Sequence, residues 1–301
     1  MPNTTRDGFL WGIAAYGWWG LVPIYFHWLG KGISPFDILA HRIAWSAVFL
    51  AFVLTLTRRW PDTVRCLKTP TLLWPLAGSA LLVAYNWLMY VLSIHFQIIV
   101  QASLGYFLLP LVSIALALLI FRERMRPLQQ VAIVFAGAGV GLLTWEVGEL
   151  PWLSLAIAIS FGVYGMVRKQ VPVDGLTGLA IETIVLLPLT LTYLAVSYVQ
   201  RGEIEDAPLL FKLSLSGIVT AVPLVCFGQA ARRLPLAMLG FMQYTSPSVQ
   251  FLLAVFLFGE SARGGWWNYG LVWTALVIFS IDSYRWYRRE HAGTGAATIE
   301  P

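Results

Sequence analysis

Apolar residues in this chain run in long blocks, and polar residues are confined to the short links between them. Ten blocks stand out, at about 8–29, 35–57, 71–93, 99–121, 128–145, 151–168, 176–199, 210–231, 235–258 and 266–286. A helix rising ~1.5 Å per residue needs about 20 apolar residues to cross the hydrocarbon core of a bilayer. The pattern therefore predicts an all-α integral membrane protein of ten transmembrane helices. The first block, Gly8 to Trp28, is longer than the ~7–15-residue apolar core of a signal peptide and ends without a small-residue cleavage site, which predicts a retained helix. The tail from His291 to Pro301 is rich in Gly, Ala and Thr and is expected to be disordered.

Composition agrees with the blocks. Of 301 residues, 58% are hydrophobic and only 12% charged, against about a quarter charged in soluble domains. So few charges could not cover a water-soluble surface. The net charge of +5 does not point to nucleic acid, because the basic residues sit in the links rather than in one polar patch. With the N-terminus placed inside, fifteen Lys and Arg fall on inside segments and four outside, while Arg42 lies within a block. This split predicts both termini in the cytoplasm and an even number of crossings. Cys66 lies in a basic link and Cys226 in an apolar block, so two free thiols are expected rather than a disulfide or a metal pair.

A repeat is also legible. Residues 104–126, LGYFLLPLVSIALALLIFRERMR, and residues 239–263, LGFMQYTSPSVQFLLAVFLFGESAR, share Leu-Gly-aromatic, a proline, and Phe-x-Glu-x-x-Arg. Pro110 precedes Glu123, and Pro247 precedes Glu260, by 13 positions in each case; Arg126 and Arg263 also correspond. Five helices per copy is an odd number, so the copies must be inverted relative to one another in the membrane. Inverted repeats typify secondary transporters, whose substrate sites lie near the midplane between the halves.

Several strings resemble a known family. Trp19-Gly20-x-x-Pro23, Pro35, Arg42 and the two proline-to-glutamate segments resemble the EamA domain of the drug/metabolite transporter superfamily. The strings HRIAWS (41–46), NWLMYVLSI (86–94), ASLGYFLLPLV (102–112), SFGVYGMVRK (160–169) and IETIVLLP (181–188) resemble its RarD-like subfamily. The resemblance implies a ten-helix permease of the bacterial inner membrane, with one EamA-like repeat over 8–145, a second over 151–287, and a cytoplasmic tail over 288–301. It also implies a central cavity lined mainly by helices 1, 3, 4, 6, 8 and 9, and a metabolite or drug as substrate. The second half lacks the Trp-Gly-x-x-Pro start, a departure from symmetric gating.

Ionisable residues inside a bilayer are costly and mark candidate sites. Arg42 lies about 10 Å in from the outer end of its helix. It is either an anion-attracting or gating residue or an arginine snorkelling to the headgroups. Glu182 sits about as deep from the inner end, as a proton-coupling carboxylate or as a helix-start carboxylate. The inverted topology puts the two at opposite depths, so they are not expected to pair. Glu123 and Glu260 are expected to pair with Arg126 and Arg263 at i+3, or to hold loops in a gate. Pro110 and Pro247 remove helical hydrogen bonds and are candidate hinges. Trp19, Asn86, Tyr90, Tyr106, Tyr164, Gln229, Gln243 and Tyr244 could line an apolar, aromatic substrate pathway, or could serve as interhelical and interfacial contacts. Gly137 and Gly141 would let a helix approach closely, within the chain or between protomers, which leaves a homodimer open.

These features favour a permease moving a small molecule by alternating access, coupled to protons or to exchange. Its expected partners are that substrate and membrane lipids, not nucleic acid. No G-x-x-x-x-G-K-[ST] phosphate loop is present, so direct ATP use is not expected. A membrane-embedded lipid-modifying enzyme would need clustered acids or a His/Ser/Asp constellation; no Asp-rich motif occurs and the four histidines are not ligand-spaced, so neither metal nor cofactor is expected. A lipid flippase or channel is compatible with the composition.

Overall fold

The computed structural model describes residues 4–30, 32–95, 99–147, 152–202, 206–257, 270–283 and 285. These residues form helices and connecting turns. The helices are α1 (Thr4–Leu29), α2 (Pro35–Leu56), α3 (Trp60–Leu67), α4 (Pro70–His95), α5 (Ile99–Leu119), α6 (Pro127–Val147), α7 (Trp152–Gln170), α8 (Gly175–Arg201), α9 (Ala207–Ala231), α10 (Leu236–Gln243) and α11 (Thr245–Leu252). A π-helical turn (Leu253–Leu257) follows α11, and α12 spans Gly270–Ser283.

The helix starts follow from local chemistry. Pro35, Pro70 and Pro127 open α2, α4 and α6, where a missing N–H costs no hydrogen bond. Asp174 caps α8 by accepting from the N–H groups of Leu176 and Thr177, and Asp206 caps α9 through Leu209. At the other end of α8, Gly202 takes a left-handed φ of 69°, which glycine adopts without a Cβ penalty.

Six of the described helices, α1, α2, α4, α6, α8 and α9, are long and apolar enough to cross a membrane. Their outward faces agree with that reading: Trp74, Trp145, Leu189 and Val199 are each more than 70% exposed. Large exposed apolar surface of this kind is tolerated against lipid, not against water.

Two predicted elements change. The link 58–70 contains the short helix α3, which buries Thr63 and Cys66 against the bundle. The apolar block 235–258 is broken at Tyr244, between α10 and α11. Pro247 has no N–H for the carbonyl of Gln243, and the helix parts just before it. Pro110 loses the same bond yet stays inside a continuous α5, so the two prolines do not act alike. Both cysteines are free and buried. A Cβ at Gly137 or Gly141 would meet no described residue within 4 Å, so neither serves as a close helix–helix contact among the described residues.

Packing follows a repeated plan. α1 and α2 both pack on α9; α7 and α8 both pack on α4. α5 packs on α7 and α10, while α1 packs on α11, and α2 meets α8. The tightest of these approaches is at Gly217 on α9, where an added Cβ would lie 2.3 Å from the Trp45 carbonyl carbon on α2. Ser46 Oγ donates to the Gly217 carbonyl at 3.2 Å across the same contact.

Gly217→Val should therefore force α2 from α9. The expected cost is about 1–3 kcal/mol, read as a lower unfolding midpoint of the purified protein in detergent. An unchanged midpoint would show that the two backbones do not meet there.

Candidate functional site

The bundle has a basic end, where α2, α5, α7 and α9 finish and α4, α6, α8 and α10 begin. It carries Arg58, Arg59, Arg65, Lys68, Arg122, Arg124, Lys169, Arg232 and Arg233. Three layers of side chains lie between the opposite end and this one.

The first layer surrounds Arg42, seven residues into α2 from the opposite end. Its Nε donates to Thr220 Oγ1 on α9 at 2.8 Å. Its guanidinium carbon lies 4.8 Å from the ring centre of Trp87 on α4 and 5.9 Å from that of Phe26 on α1, within cation–π range. The titratable groups close enough to act on it are the phenols of Tyr106, Tyr90 and Tyr25. Tyr90 and Tyr106 meet edge to face, with centroids 6.1 Å apart. Among the described residues, no carboxylate lies within ion-pair distance of Arg42. The arginine does not snorkel alone along the outside of the bundle; its head is enclosed by four helices and an aromatic wall.

The second layer is an aromatic cluster nearer the basic end. Trp19 meets Phe161 edge to face at 5.6 Å, Phe161 meets Phe227 at 5.3 Å, and Tyr164 stacks on Phe227 at 5.7 Å with 20° between the rings. Tyr16 adds a fifth ring, 5.7 Å from Trp19. These rings come from α1, α7 and α9 and fill the bundle axis. Gln250 on α11 donates to the Trp19 carbonyl at 3.0 Å and ties α1 to the broken helix.

The third layer is ionic. Glu182 on α8 is 1% exposed, so it is not an interfacial carboxylate. It accepts hydrogen bonds from Ser79 Oγ on α4 at 2.5 Å and from the Tyr164 hydroxyl at 3.3 Å, and Arg168 Nη1 lies 3.7 Å away. Arg168 is itself 1% exposed and donates from Nη2 to the Asp174 carbonyl at 3.3 Å. Room for it comes from glycines: a Cβ at Gly178 or Gly228 would strike the guanidinium. Arg168 counted as a link residue in the sequence; here it is buried as the counter-ion of Glu182. Beyond it, Arg59 pairs with Asp174 at 3.1 Å. Burial pushes the Asp174 carboxyl up, but the hydrogen bonds from Thr177 and Leu176 and the charge of Arg59 outweigh it, so its pKa lies below the ordinary aspartate value.

The basic end is latched further. Glu123 accepts from the N–H groups of Leu236 and Ala237 at 2.8 and 3.0 Å, capping α10 with a full negative charge. Lys169 Nζ lies 3.8 Å from Glu123 and donates to the Leu234 carbonyl at 2.7 Å. The expected Glu123–Arg126 pair is not formed; Arg126 pairs with Asp282 on α12 at 2.7 Å. Free N–H groups at a helix start and a lysine on α7 outcompete the i+3 arginine for Glu123. Glu260 lies outside the described residues.

Two of the remaining expected pathway residues fasten helices. Asn86 donates to the Ile157 carbonyl at 2.8 Å and to Ser160 Oγ at 3.1 Å, joining α4 to α7. Gln243 accepts from Ser113 at 3.0 Å and joins α10 to α5. Gln229 accepts from Arg233 at 2.6 Å at the basic end. Tyr244 is fully buried at the helix break. Tyr25, Phe26, Trp87 and Thr220 belong to the first layer and Ser79, Arg168, Phe161 and Phe227 to the lower ones, though none was singled out in sequence. For Trp87 and Tyr90 the signal was available, since residues three apart share a helix face.

Removing one member of a buried ion pair strands the other charge. Arg168→Met should cost about 3–5 kcal/mol, whereas Arg168→Met with Glu182→Gln should recover much of that loss. Thermal unfolding in detergent reads both; equal losses for the single and double variants would show that the pair is not coupled.

Known proteins agree with this architecture. The family model for EamA-like transporters matches residues 6–145. An uncharacterized transporter of Vibrio cholerae is 42% identical over 93% of this chain and 94% of its own length. The RarD protein of Escherichia coli K12 is 39% identical over 95% of this chain and 97% of its own, and a protein of Pseudomonas aeruginosa named chloramphenicol-sensitive protein RarD is 30% identical over 94% and 97%. A crystal structure superposes with a TM-score of 0.70 at 17% identity, covering 93% of this chain and 98% of that one, which shows a shared fold. With close relatives of the same name in several bacteria and the family model on its first half, the chain belongs to the EamA-like transporter family, in its RarD-like branch, and is a multi-pass bacterial membrane transporter.

Proposed function

We propose that this protein is a secondary transporter that carries a small metabolite or drug across the inner membrane by alternating access. In this reading the chain crosses ten times, as two inverted five-helix halves, with the basic end and both termini in the cytoplasm. α5, α7, the broken α10–α11 segment and α12 supply the four crossings beyond the six long apolar helices. The positive charge concentrated at one end supports the orientation.

The packing plan supports the inversion. Exchanging the halves maps α1 onto α7, α2 onto α8 and α4 onto α9. The contacts α1–α9 and α2–α9 then become α7–α4 and α8–α4, which are also present. Arg42 is seven residues after Pro35, and Glu182 is seven after Gly175. Arg42 bonds a hydroxyl on α9; Glu182 bonds a hydroxyl on α4.

The observation that carries the mechanism is the fastening of the basic end. At the basic end, Glu123–α10, Lys169–Leu234, Arg59–Asp174 and Arg168–Glu182 close the bundle over an aromatic plug. At the opposite end α2 is held to α8 by Asp37–Arg201, and α1 to α9 by Lys212 on the Trp28 carbonyl. In this reading the fastened basic end is the closed, cytoplasmic one. Transport then requires breaking this basic-end latch, with the break at Tyr244 and the π-turn giving α10–α11 room to bend.

Solute counterflow in proteoliposomes, across a panel of metabolites and antibiotics, tests the reading; saturable uptake is expected. Solute turnover without translocation would instead indicate an enzyme. Glu123→Gln should weaken the latch by removing charge from the α10 cap. A population open at the basic end should rise about tenfold, measured as a longer distance between spin labels at Asp62 and Arg232. An unaltered distance distribution would remove Glu123 from the gate.

A further inference from the structure

The two symmetry-related charges are not treated alike. Glu182 has its counter-ion inside the protein, in Arg168 from α7. Under the half-exchange, the element corresponding to α7 is α1. Toward Arg42 it contributes Tyr25 and Phe26, not a carboxylate. Arg42 is therefore a cation set in a membrane-spanning bundle with a hydroxyl, phenols and aromatic faces around it and no described negative charge.

Its geometry is that of a receptor rather than a sealed structural charge. The Nε–Thr220 bond fixes the plane of the guanidinium. The Nη groups make no hydrogen bond to any described residue, yet they are not among the sealed, unsatisfied atoms, in contrast to Arg168 Nε and Nη1. Arg42, Tyr25, Phe26, Trp87, Tyr90 and Tyr106 all surround one point and all keep partial exposure. The space faced by the unsealed Nη edge, walled by these side chains, is the candidate recess. The free Nη edge presents parallel N–H donors, which match the two oxygens of a carboxylate. One cation in a low-dielectric recess answers one negative charge, and the Trp87 and tyrosine walls suit a flat apolar body.

We propose that this recess is the outward-facing substrate site and that it takes organic monocarboxylates with a planar or aromatic body, the carboxylate seated on Arg42 and the ring against Trp87. The inference rests on the transporter reading above and adds the substrate class. A lipid headgroup phosphate offers similar anionic chemistry from a different source, so the test must separate the two.

The test uses the full chain in phosphatidylcholine nanodiscs, titrated with 4-bromobenzoate, 4-bromobenzamide and 4-bromobenzylamine, with bromine quenching of tryptophan fluorescence as readout. Saturable quenching by the acid is expected, with the amide and amine at least about tenfold weaker. Trp87→Phe should remove most of the quenching while the acid still raises the unfolding midpoint. Arg42→Gln should weaken acid binding about tenfold or more, and Arg42→Lys should restore part of it. If Arg42→Gln does not fold, the ligand series on the unaltered protein decides alone. Amide bound as tightly as acid, or acid binding unchanged in a folded Arg42→Gln, would overturn the proposal. So would discs containing phosphatidylglycerol that abolish acid binding, which would assign the recess to a lipid headgroup. Acid-selective binding without translocation in proteoliposomes would sustain the site and remove the transporter reading; counterflow of neutral solutes with no acid binding would do the reverse.

Discussion

The cost of placing charge away from water governs the interior of this bundle. A carboxylate or guanidinium among hydrocarbon and apolar side chains loses its hydration, and the protein must supply what water supplied. Glu182 shows the full answer: a cation, a serine and a tyrosine, each from a different position in the fold. The glycines at 178 and 228 exist in the packing to admit Arg168, so backbone sequence on two helices is subordinate to one ion pair. The aromatic plug stands directly above that pair and is joined to it by the Tyr164 hydroxyl. Electrostatic and steric closure are in this way one structure, and neither can be opened without disturbing the other.

The fold was largely legible because the bilayer writes it into composition. Blocks of about 20 apolar residues have few other physical uses, and nearly every expected helix is present within a few residues. Helix breaks were less legible. A proline at 110 and one at 247 read identically along the chain, yet only the second parts its helix, and nothing in a linear pattern separates the two. The helix α3 was missed for a different reason: eight residues give too few turns for an apolar period to stand out among the basic residues of a link.

At the site, the charged positions could be found and their partners could not. Arg42 and Glu182 were conspicuous because intramembrane charge is rare. That Arg42 would bond Thr220, 178 positions away, or that Arg168 would be withdrawn from a basic link into the core, depends on tertiary packing alone. Glu123 illustrates the same limit. The arginine three residues on is a poorer partner than the N–H groups of a helix more than a hundred residues away, since two backbone donors and a helix dipole act on Glu123 together. Local rules rank local options; they do not list the distant ones. Polar amides suffered most, since Asn86 and Gln243 serve equally well in sequence as ligands or as fasteners, and here they fasten.

The inverted duplication proposed here would give a transporter two equivalent positions at opposite depths, and the use made of them need not be symmetric. If both carried self-neutralised ion pairs, the two ends would be fastened alike and the protein would have no preferred empty state. If both carried bare charge, the empty protein would have two unanswered charges in the membrane. One of each resolves the conflict. In the proposed reading the Glu182–Arg168 pair fastens the cytoplasmic end of the unloaded protein, while Arg42 keeps an unmet electrostatic demand toward the other end. A ligand that meets the demand changes the balance between states only if it binds one of them better. A carboxylate on Arg42 would do so if closing that end brought the aromatic walls around it, because the loaded recess, unlike the empty one, would then enclose no net charge.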